Sequence, residues 1–552
     1  MANLLRLGKK RINSFVLLST FRNFATKIRK LLLSLIFLAM NIRKRFAMDI
    51  RKRLIVIALL VAGPAAAQVN DLPRTSPEAV GMRSVQVEAF FDSLLAYPLT
   101  EIHSCIVMRH GRVVGEMYPA PFRADYPHTL FSCSKTFVAA AVGIAISEKR
   151  LRLTDHLVDF FPDRLPNIVS WQLKSITVED LLTMRSGFVV DTKMRTVSRQ
   201  WVRDYLAHPM NAAPGQLFQY DSIDTYLLSA IVQKVTGMTL LAYLRDRVFR
   251  YMNIRDVQWE LSPEGITTGG WGLYAQSETL AKFGQLLLQR GKWIDRQLLP
   301  AEWVDRMMTK HVSLADGRGY GYQMWTCAYP TAMQANGAYG QFIIVVPKED
   351  VVVVITQCTI NDTGREQAYI WNTLFRGMTR RALTPATAWQ QLRQRQWSLP
   401  LVEGDSLNTR YFNAAPRRGA PEPYNDKTFR LSENPLGWST VRFEADSLLE
   451  ITDTAGRSGQ IEMGYRRWKT SPVMFYPLDA RYATVGRFHP IRPPFRAGAC
   501  YAWRDDELQV KLHFVDWMGS VFLRISFDAD RLTIIAKENY LRNSVRISGT
   551  ML

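Results

Sequence analysis

The 552-residue sequence has only five cysteines, Cys105, Cys133, Cys327, Cys358 and Cys500, and no two stand at a metal-caging spacing. Their odd number excludes a fully paired disulfide framework and leaves at least one free thiol. The eight histidines form no H-E-x-x-H pair, so a zinc hydrolase is a poor fit. No G-x-S-x-G occurs either. The nearest stretch, Gly456-Arg457-Ser458-Gly459-Gln460, lacks the final glycine and sits in a β-patterned tail, which argues against a Ser-His-Asp hydrolase. Internal repeats and low-complexity tracts are absent.

What charge there is lies mostly in one place. The net charge is +21, but residues 1–67 carry 14 Lys and Arg against the single acid Asp49, a contribution of +13. The other 485 residues carry about +8 with no long basic run. That is a mildly basic, mixed surface, suited to an anionic cell envelope and not to nucleic acid. From Met48 the order is Arg51-Lys52-Arg53, an apolar stretch at 54–62, then Ala65-Ala66-Ala67. This is a signal-peptide layout, with cleavage expected after Ala67 and a periplasmic or secreted mature protein. No cysteine at the cleavage point calls for a lipid anchor. The apolar segment 31–40 is short against the roughly 20 residues of a membrane span. The expected start codon is Met48, with 1–47 an upstream extension; an unusually long leader is the alternative.

Beyond Gln68, residues 84–97 read as a helix, and 102–108 and 112–117 as strands around His110-Gly111. Residues 135–148, rich in Ala, Val and Ile, read as a buried helix. Another helix is expected over 277–290, ending at Gly291. Residues 341–347 and 351–357 read as an apolar hairpin, central in a sheet. Near residue 385 the pattern changes: after a connector come short alternating runs such as 441–443, 508–514, 521–527 and 532–536, all-β in character, a small barrel or sandwich.

Three stretches could carry chemistry. Phe131-Ser132-Cys133-Ser134-Lys135-Thr136 contains S-x-x-K at the entrance of the apolar helix. Residues i and i+3 share a helix face, and a lysine one turn inside a buried helix is desolvated, which lowers its pKa as a base requires. Alone the pattern is weak, since a serine cap followed by a snorkelling lysine looks the same. Pro214-Gly215-Gln216-Leu217-Phe218-Gln219-Tyr220-Asp221-Ser222 leads into a helix ending at Gly237; Tyr220 could shuttle protons, or be a core tyrosine with Ser222 capping that helix. Ala335-Asn336-Gly337-Ala338-Tyr339-Gly340-Gln341 opens the apolar hairpin, where glycine lets a ligand reach backbone N–H groups; it also reads as a plain turn.

In this order the three pieces resemble the serine β-lactamase, penicillin-binding-protein and related esterase superfamily: S-x-x-K, a Tyr-x-Asn-like element at Tyr220, and a Lys-Thr-Gly-like strand at Asn336-Gly337. The stretches Ile176-Thr177-Val178-Glu179-Asp180-Leu181-Leu182-Thr183-Met184-Arg185-Ser186-Gly187, Gly270-Trp271-Gly272-Leu273 and Gly319-Tyr320-Gly321-Tyr322 match as well. The resemblance covers roughly residues 75–380 and is nearest the 6-aminohexanoate-dimer hydrolase and class C β-lactamase-like branch. It implies an α/β sandwich of the β-lactamase/transpeptidase-like type, an antiparallel sheet flanked by helices plus a helical subdomain. A C-terminal β-rich domain follows. The expected division is leader 1–67, hydrolase domain 68–384, linker 385–400 and β-rich domain 401–552.

The resemblance makes Ser132 the nucleophile, Lys135 its base and Tyr220 the proton relay, acting on a small ester or amide through an acyl-enzyme, and it implies no metal and no organic cofactor. The backbone N–H groups of Ser132 and Ala338 would hold the oxyanion, with Gly337, Asn336 and Ser222 around the substrate. Two departures bear on specificity. Ser222 stands where the asparagine is expected, and Ala335-Asn336-Gly337 lacks the lysine that would receive a penicillin or D-alanyl carboxylate. A D-amino-acid peptidase or weak β-lactamase is the alternative enzyme. A silent ligand-binding relative is the alternative outside catalysis.

Overall fold

The computed structural model describes residues 72–97, 99–190, 197–359, 364–399, 424–444, 447–475, 490–504, 506–539 and 544–552. The expected leader and its cleavage point at Ala67 lie outside the described residues. Leu72–Leu552 forms one compact unit.

Its first part is built on an eight-stranded antiparallel sheet. In chain order the strands are β1 (Thr100–Arg109), β2 (Arg112–Met117), β3 (Val312–Ser313), β4 (Gly319–Tyr320), β5 (Trp325–Thr326), β6 (Met333–Gly337), β7 (Gln341–Val346) and β8 (Val351–Thr359). They lie in the order β2-β1-β8-β7-β6-β5-β4-β3. β1 and β2 join through His110 and Gly111, both at positive φ (50° and 70°), which matches strand twist in a two-residue hairpin. β7 and β8 are buried at every position, as continuous Val/Ile runs require when both faces are covered.

Helices cover both faces: α1 (Ser84–Leu95), α2 (Ser134–Ser147), α3 (Ser222–Thr236) and α4 (Ser277–Leu288). α1 lays Val87, Phe90, Phe91 and Leu94 against Val107, Phe342, Ile344 and Val353. On the other face α2 and α4 meet Ile106, Ile343, Val352 and Val354. α2 is buried from Ser134 to Ala145, so its apolar sequence shows no polar stripe. Phe137 of α2 stacks on Phe283 of α4 with ring centroids 3.8 Å apart, and each fully buried ring contributes about 1.5–3 kcal/mol. α4 comes close because Gly284 has no side chain; a Cβ there would lie 2.6 Å from Val352 Cγ1.

Within residues 385–400 the structure has a short helix, Ala388–Gln394, whose Leu392 joins the core under α1. Beyond Tyr424 comes an eleven-stranded, almost wholly antiparallel sheet. Alternate residues of Leu448–Asp453 and Arg531–Glu538 point inward, the period-two pattern of a curled sheet with one covered face. It curls nearly into a barrel: the Glu462 N–H of its first edge reaches the Ser471 hydroxyl of Lys469–Val473 at 2.9 Å. Strands β9 (Glu507–Phe514) and β10 (Ser520–Asp528) send their connecting loop, residues 515–519, into the half built on the eight-stranded sheet. Thr129 N–H donates to Asp516 O at 3.2 Å, and Cys358 Sγ lies 3.8 Å from Met518 Sδ. Cys105, Cys133 and Cys327 are free thiols.

Candidate active site

Ser132 sits in a tight 3-10 turn, Phe131–Cys133, that runs directly into α2. The turn is pinned from three sides. Leu130 N–H donates to Leu273 O at 2.9 Å, Ser134 Oγ donates to Phe131 O at 2.6 Å, and Cys133 Sγ–H donates to Gln341 O of β7 at 3.2 Å. Phe131 takes φ +46°, a left-handed conformation costing a non-glycine residue roughly 1–2 kcal/mol. The neighbouring cysteine is no rival nucleophile: Cys133 is fully buried, and that burial pushes its thiol well above the ordinary range. Ser132 itself is half-buried and so within reach of a ligand.

Lys135 is 1% exposed and places Nζ 2.8 Å from Ser132 Oγ, 3.0 Å from Ser222 Oγ and 2.7 Å from Gly270 O. The chemistry of these partners matters. A carbonyl can only accept, so Gly270 fixes one N–H, whereas hydroxyls can accept or donate. A neutral amine can therefore donate to Gly270 and Ser222 and aim its lone pair at the Ser132 O–H. Gly270 reaches the lysine because it is glycine; a Cβ there would lie 2.4 Å from Ser222 O.

Asp221, not Ser222, caps α3: its carboxylate accepts from Ile223 N–H at 3.0 Å. The sequence admitted Ser222 as that cap. With the capping role taken by its neighbour, Ser222 is the first helical residue and its hydroxyl turns to Lys135. Tyr220, just upstream, holds its ring centroid 4.9 Å from Lys135 Nζ. Burial raises its phenol above the ordinary value, partly offset by hydrogen bonds with Ser132 and the Trp325 indole. Tyr220 thus rests as a neutral phenol, able to pass a proton on.

The third element closes the site from the sheet. Gly337 ends β6 against the turn carrying Ser132; a Cβ there would lie 2.4 Å from Leu130 O. Asn336 is half-exposed beside it, while Ala335 faces the core with 1% exposure. Ala338 follows directly, its carbonyl accepting from Gln341 Nε2 at 3.1 Å, and Tyr339 after it has φ +63°.

Sequence reasoning missed three features. The Gly270 carbonyl lies in a stretch that carries the family resemblance, Gly270-Trp271-Gly272-Leu273, but nothing there marks a lysine acceptor. Phe218, Tyr220, Tyr320 and Trp325 form one aromatic wall, with Tyr220 and Trp325 centroids 5.3 Å apart. Arg318 lies 5.0 Å over the Trp325 ring and pairs with Asp316 at 2.7 Å. The third is contact with the β-rich half, which the sequence could not pair with residue 131.

The chain matches the family model described as Beta-lactamase over residues 104–371. It is 22% identical over 276 residues to 6-aminohexanoate-dimer hydrolase of Paenarthrobacter ureafaciens, covering 45% of this chain and 70% of that enzyme. To esterase EstB of Burkholderia gladioli it is 24% identical over 199 residues, 31% of this chain and half of that protein. Among solved structures, the octameric penicillin-binding protein homologue from Pyrococcus abyssi aligns over 85% of this chain and all of its own, at 15% identity and a TM-score of 0.44. The family model and the two curated hydrolases mark residues 104–371 as a β-lactamase-related serine hydrolase domain.

Proposed function

We propose that this chain is an exported hydrolase that cleaves a neutral ester or amide through an acyl-enzyme. In this reading Ser132 Oγ attacks the acyl carbon as Lys135 takes its proton. Tyr220 and Lys135 return that proton to the leaving alcohol or amine. The tetrahedral oxyanion is held by the N–H groups of Ser132 and Ala338, and water then releases the acid by the reverse route. The observation that carries the reading is the buried Lys135 Nζ 2.8 Å from Ser132 Oγ, in a network with Ser222 and Gly270. A ligand-binding relative has no need of that network.

Ala335 favours a neutral substrate over a β-lactam or D-alanyl peptide. Its methyl is buried in the core, so no side chain at that position can receive a carboxylate. A charge-assisted hydrogen bond of that kind is worth roughly 1.5–3 kcal/mol, a tenfold to hundredfold loss. The expected result is a kcat/KM for p-nitrophenyl acetate or butyrate exceeding that for nitrocefin. Efficient nitrocefin turnover with negligible esterase activity would reverse the order. It would mean that another cation, such as Arg318 on the aromatic wall, stands in.

Export rests on the basic, apolar and small-residue order before Gln68. Amino-terminal sequencing of the envelope fraction is expected to read from Gln68 or within a residue or two. A chain retained in the cytoplasm with its leader intact would dismiss that part of the reading.

A further inference from the structure

The two backbone N–H groups assigned to the oxyanion are flanked by residues of the same unusual kind. Phe131, before Ser132, has φ +46°, and Tyr339, after Ala338, has φ +63°. Bulky side chains disfavour this conformation and keep it only where surroundings over-determine it. The surroundings here are aromatic. Phe131 and Tyr339 meet edge to face at 5.4 Å, and Phe131 meets Trp517 of the β9–β10 loop at 5.5 Å. Trp517 also stacks on Tyr274 at 6.2 Å and 26°. Leu273–Ala275 is the strand that receives the Leu130 N–H. Phe131, Tyr274 and Cys358 accordingly belong to the core of the β-rich half.

The loop that delivers Trp517 is itself anchored. Asp516 Oδ1 accepts from Arg496 Nη1 at 2.7 Å and Asp516 Oδ2 from Arg496 N–H at 2.8 Å, while Asp516 O receives the Thr129 N–H. Trp517 is 2% exposed, so it cannot touch substrate. Its influence passes through Phe131.

We propose that Trp517 is a positioning residue for the hydrolase site, and that the C-terminal β-rich half completes the catalytic unit by holding the Phe131–Ser132 and Ala338–Tyr339 backbone in register. The inference rests on the Ser132 reading above. Removing an oxyanion donor costs about 10²–10³ in kcat, and displacing one by a fraction of that effect sets the expected scale. Trp517→Leu keeps the apolar seal but removes the ring. It is expected to lower both kcat on p-nitrophenyl butyrate and the rate of fluorophosphonate labelling by about 10–100-fold, with KM within about twofold. Trp517→Phe is expected to recover most of the loss. A role in stability alone would lower the melting temperature without slowing the folded fraction.

The arms separate the two claims. If the wild-type chain is not labelled at Ser132, the hydrolase reading fails. If the wild type is labelled and folded Trp517→Leu reacts at the wild-type rate, or shows the loss in KM alone, the positioning inference is overturned. Should Trp517→Leu not fold, Tyr339→Leu, which removes the ring on the other side of Phe131, carries the same criteria.

Discussion

Lys135→Met is expected to slow acylation of Ser132 by a factor of about 10³–10⁴ and to leave a folded protein. General-base catalysis is worth about 10²–10⁴, and a serine hydroxyl is a poor nucleophile without a base in contact. Methionine retains the apolar stem that packs in α2 and deletes the amine that contacts Ser132, Ser222 and Gly270. The Gly270 carbonyl then lacks this donor, a cost of roughly 1–3 kcal/mol, but the expense of burying an amine disappears too. The melting temperature should therefore move little. The measurement is the rate of fluorophosphonate labelling, with Ser132→Ala as the zero-labelling control and Tyr220→Phe beside it. Wild-type labelling of Lys135→Met together with a collapse in Tyr220→Phe would transfer the base to the tyrosine. Labelling that persists in Ser132→Ala and maps to another serine would remove the assignment altogether.

Acidification from pH 6.5 to 4.5 is expected to destabilise the folded unit by roughly 3 kcal/mol or more, from a buried histidine chain beside the β-rich half. The Thr129 carbonyl lies 2.6 Å from His128 Nδ1, and a carbonyl can only accept, so His128 carries its proton there. His128 Nε2 must then accept from His103 Nδ1 at 2.8 Å. His103 stacks on Phe122 at 4.1 Å and meets His513 edge-on at 4.9 Å. His513 Nε2 stands 3.4 Å from Glu101, which accepts from Ser520 and Asn539 at 2.9 and 2.6 Å and pairs with Lys511. Burial holds His128 down at about 3 and His103 well below its ordinary value.

The sign follows from proton uptake. Between pH 6.5 and about 3 the unfolded chain binds a proton at His128 that the folded chain refuses, so stability falls as pH falls. With an unfolded value of about 6.5, the two-unit drop gives about 2 kcal/mol for His128 alone. His103, acting in the same direction, carries the total to roughly 3 kcal/mol or more. Glu101 is held below the usual carboxylate range, chiefly by Lys511 and His513 against its burial, so its contribution is lost only at lower pH. Thermal unfolding at pH 7.5, 5.5 and 4.5 measures the slope, and a His103→Leu, His128→Leu double variant should flatten it. Against a typical total of 5–15 kcal/mol the loss is large. A melting temperature constant from pH 7.5 to 4.5 in the wild type would contradict the histidine assignment.

Much of this molecule was legible as pattern. Alternation and punctuation placed β1, β2, β7 and β8 within one or two residues, because a strand buried on both faces leaves an unbroken apolar run and a two-residue turn leaves a residue such as His110 beside Gly111. The helix after Ser132 was visible because burial on every side removes polar residues from its sequence. S-x-x-K, the tyrosine before α3 and the glycine strand were legible because their chemistry is tied to short local geometry: one helical turn from Ser132 to Lys135, one helix entrance at Tyr220, one strand end at Gly337.

The rest depended on which distant groups come into contact, and no local spacing encodes that. Whether Ser222 caps its helix or faces Lys135 turned on Asp221 taking the cap first. The lysine's third partner, Gly270, lies 135 residues away in sequence, and its fitness is the absence of a Cβ that would strike Ser222. The histidine chain joins residues 103, 128 and 513, none of them at a spacing that would draw attention. Most of all, an alternating β-rich tail reads alike whether it floats free or packs home. Local sequence determined which residues could do chemistry; long-range packing, set by complementary apolar surfaces such as Trp517 on Phe131, decided which backbone conformations would hold them in place.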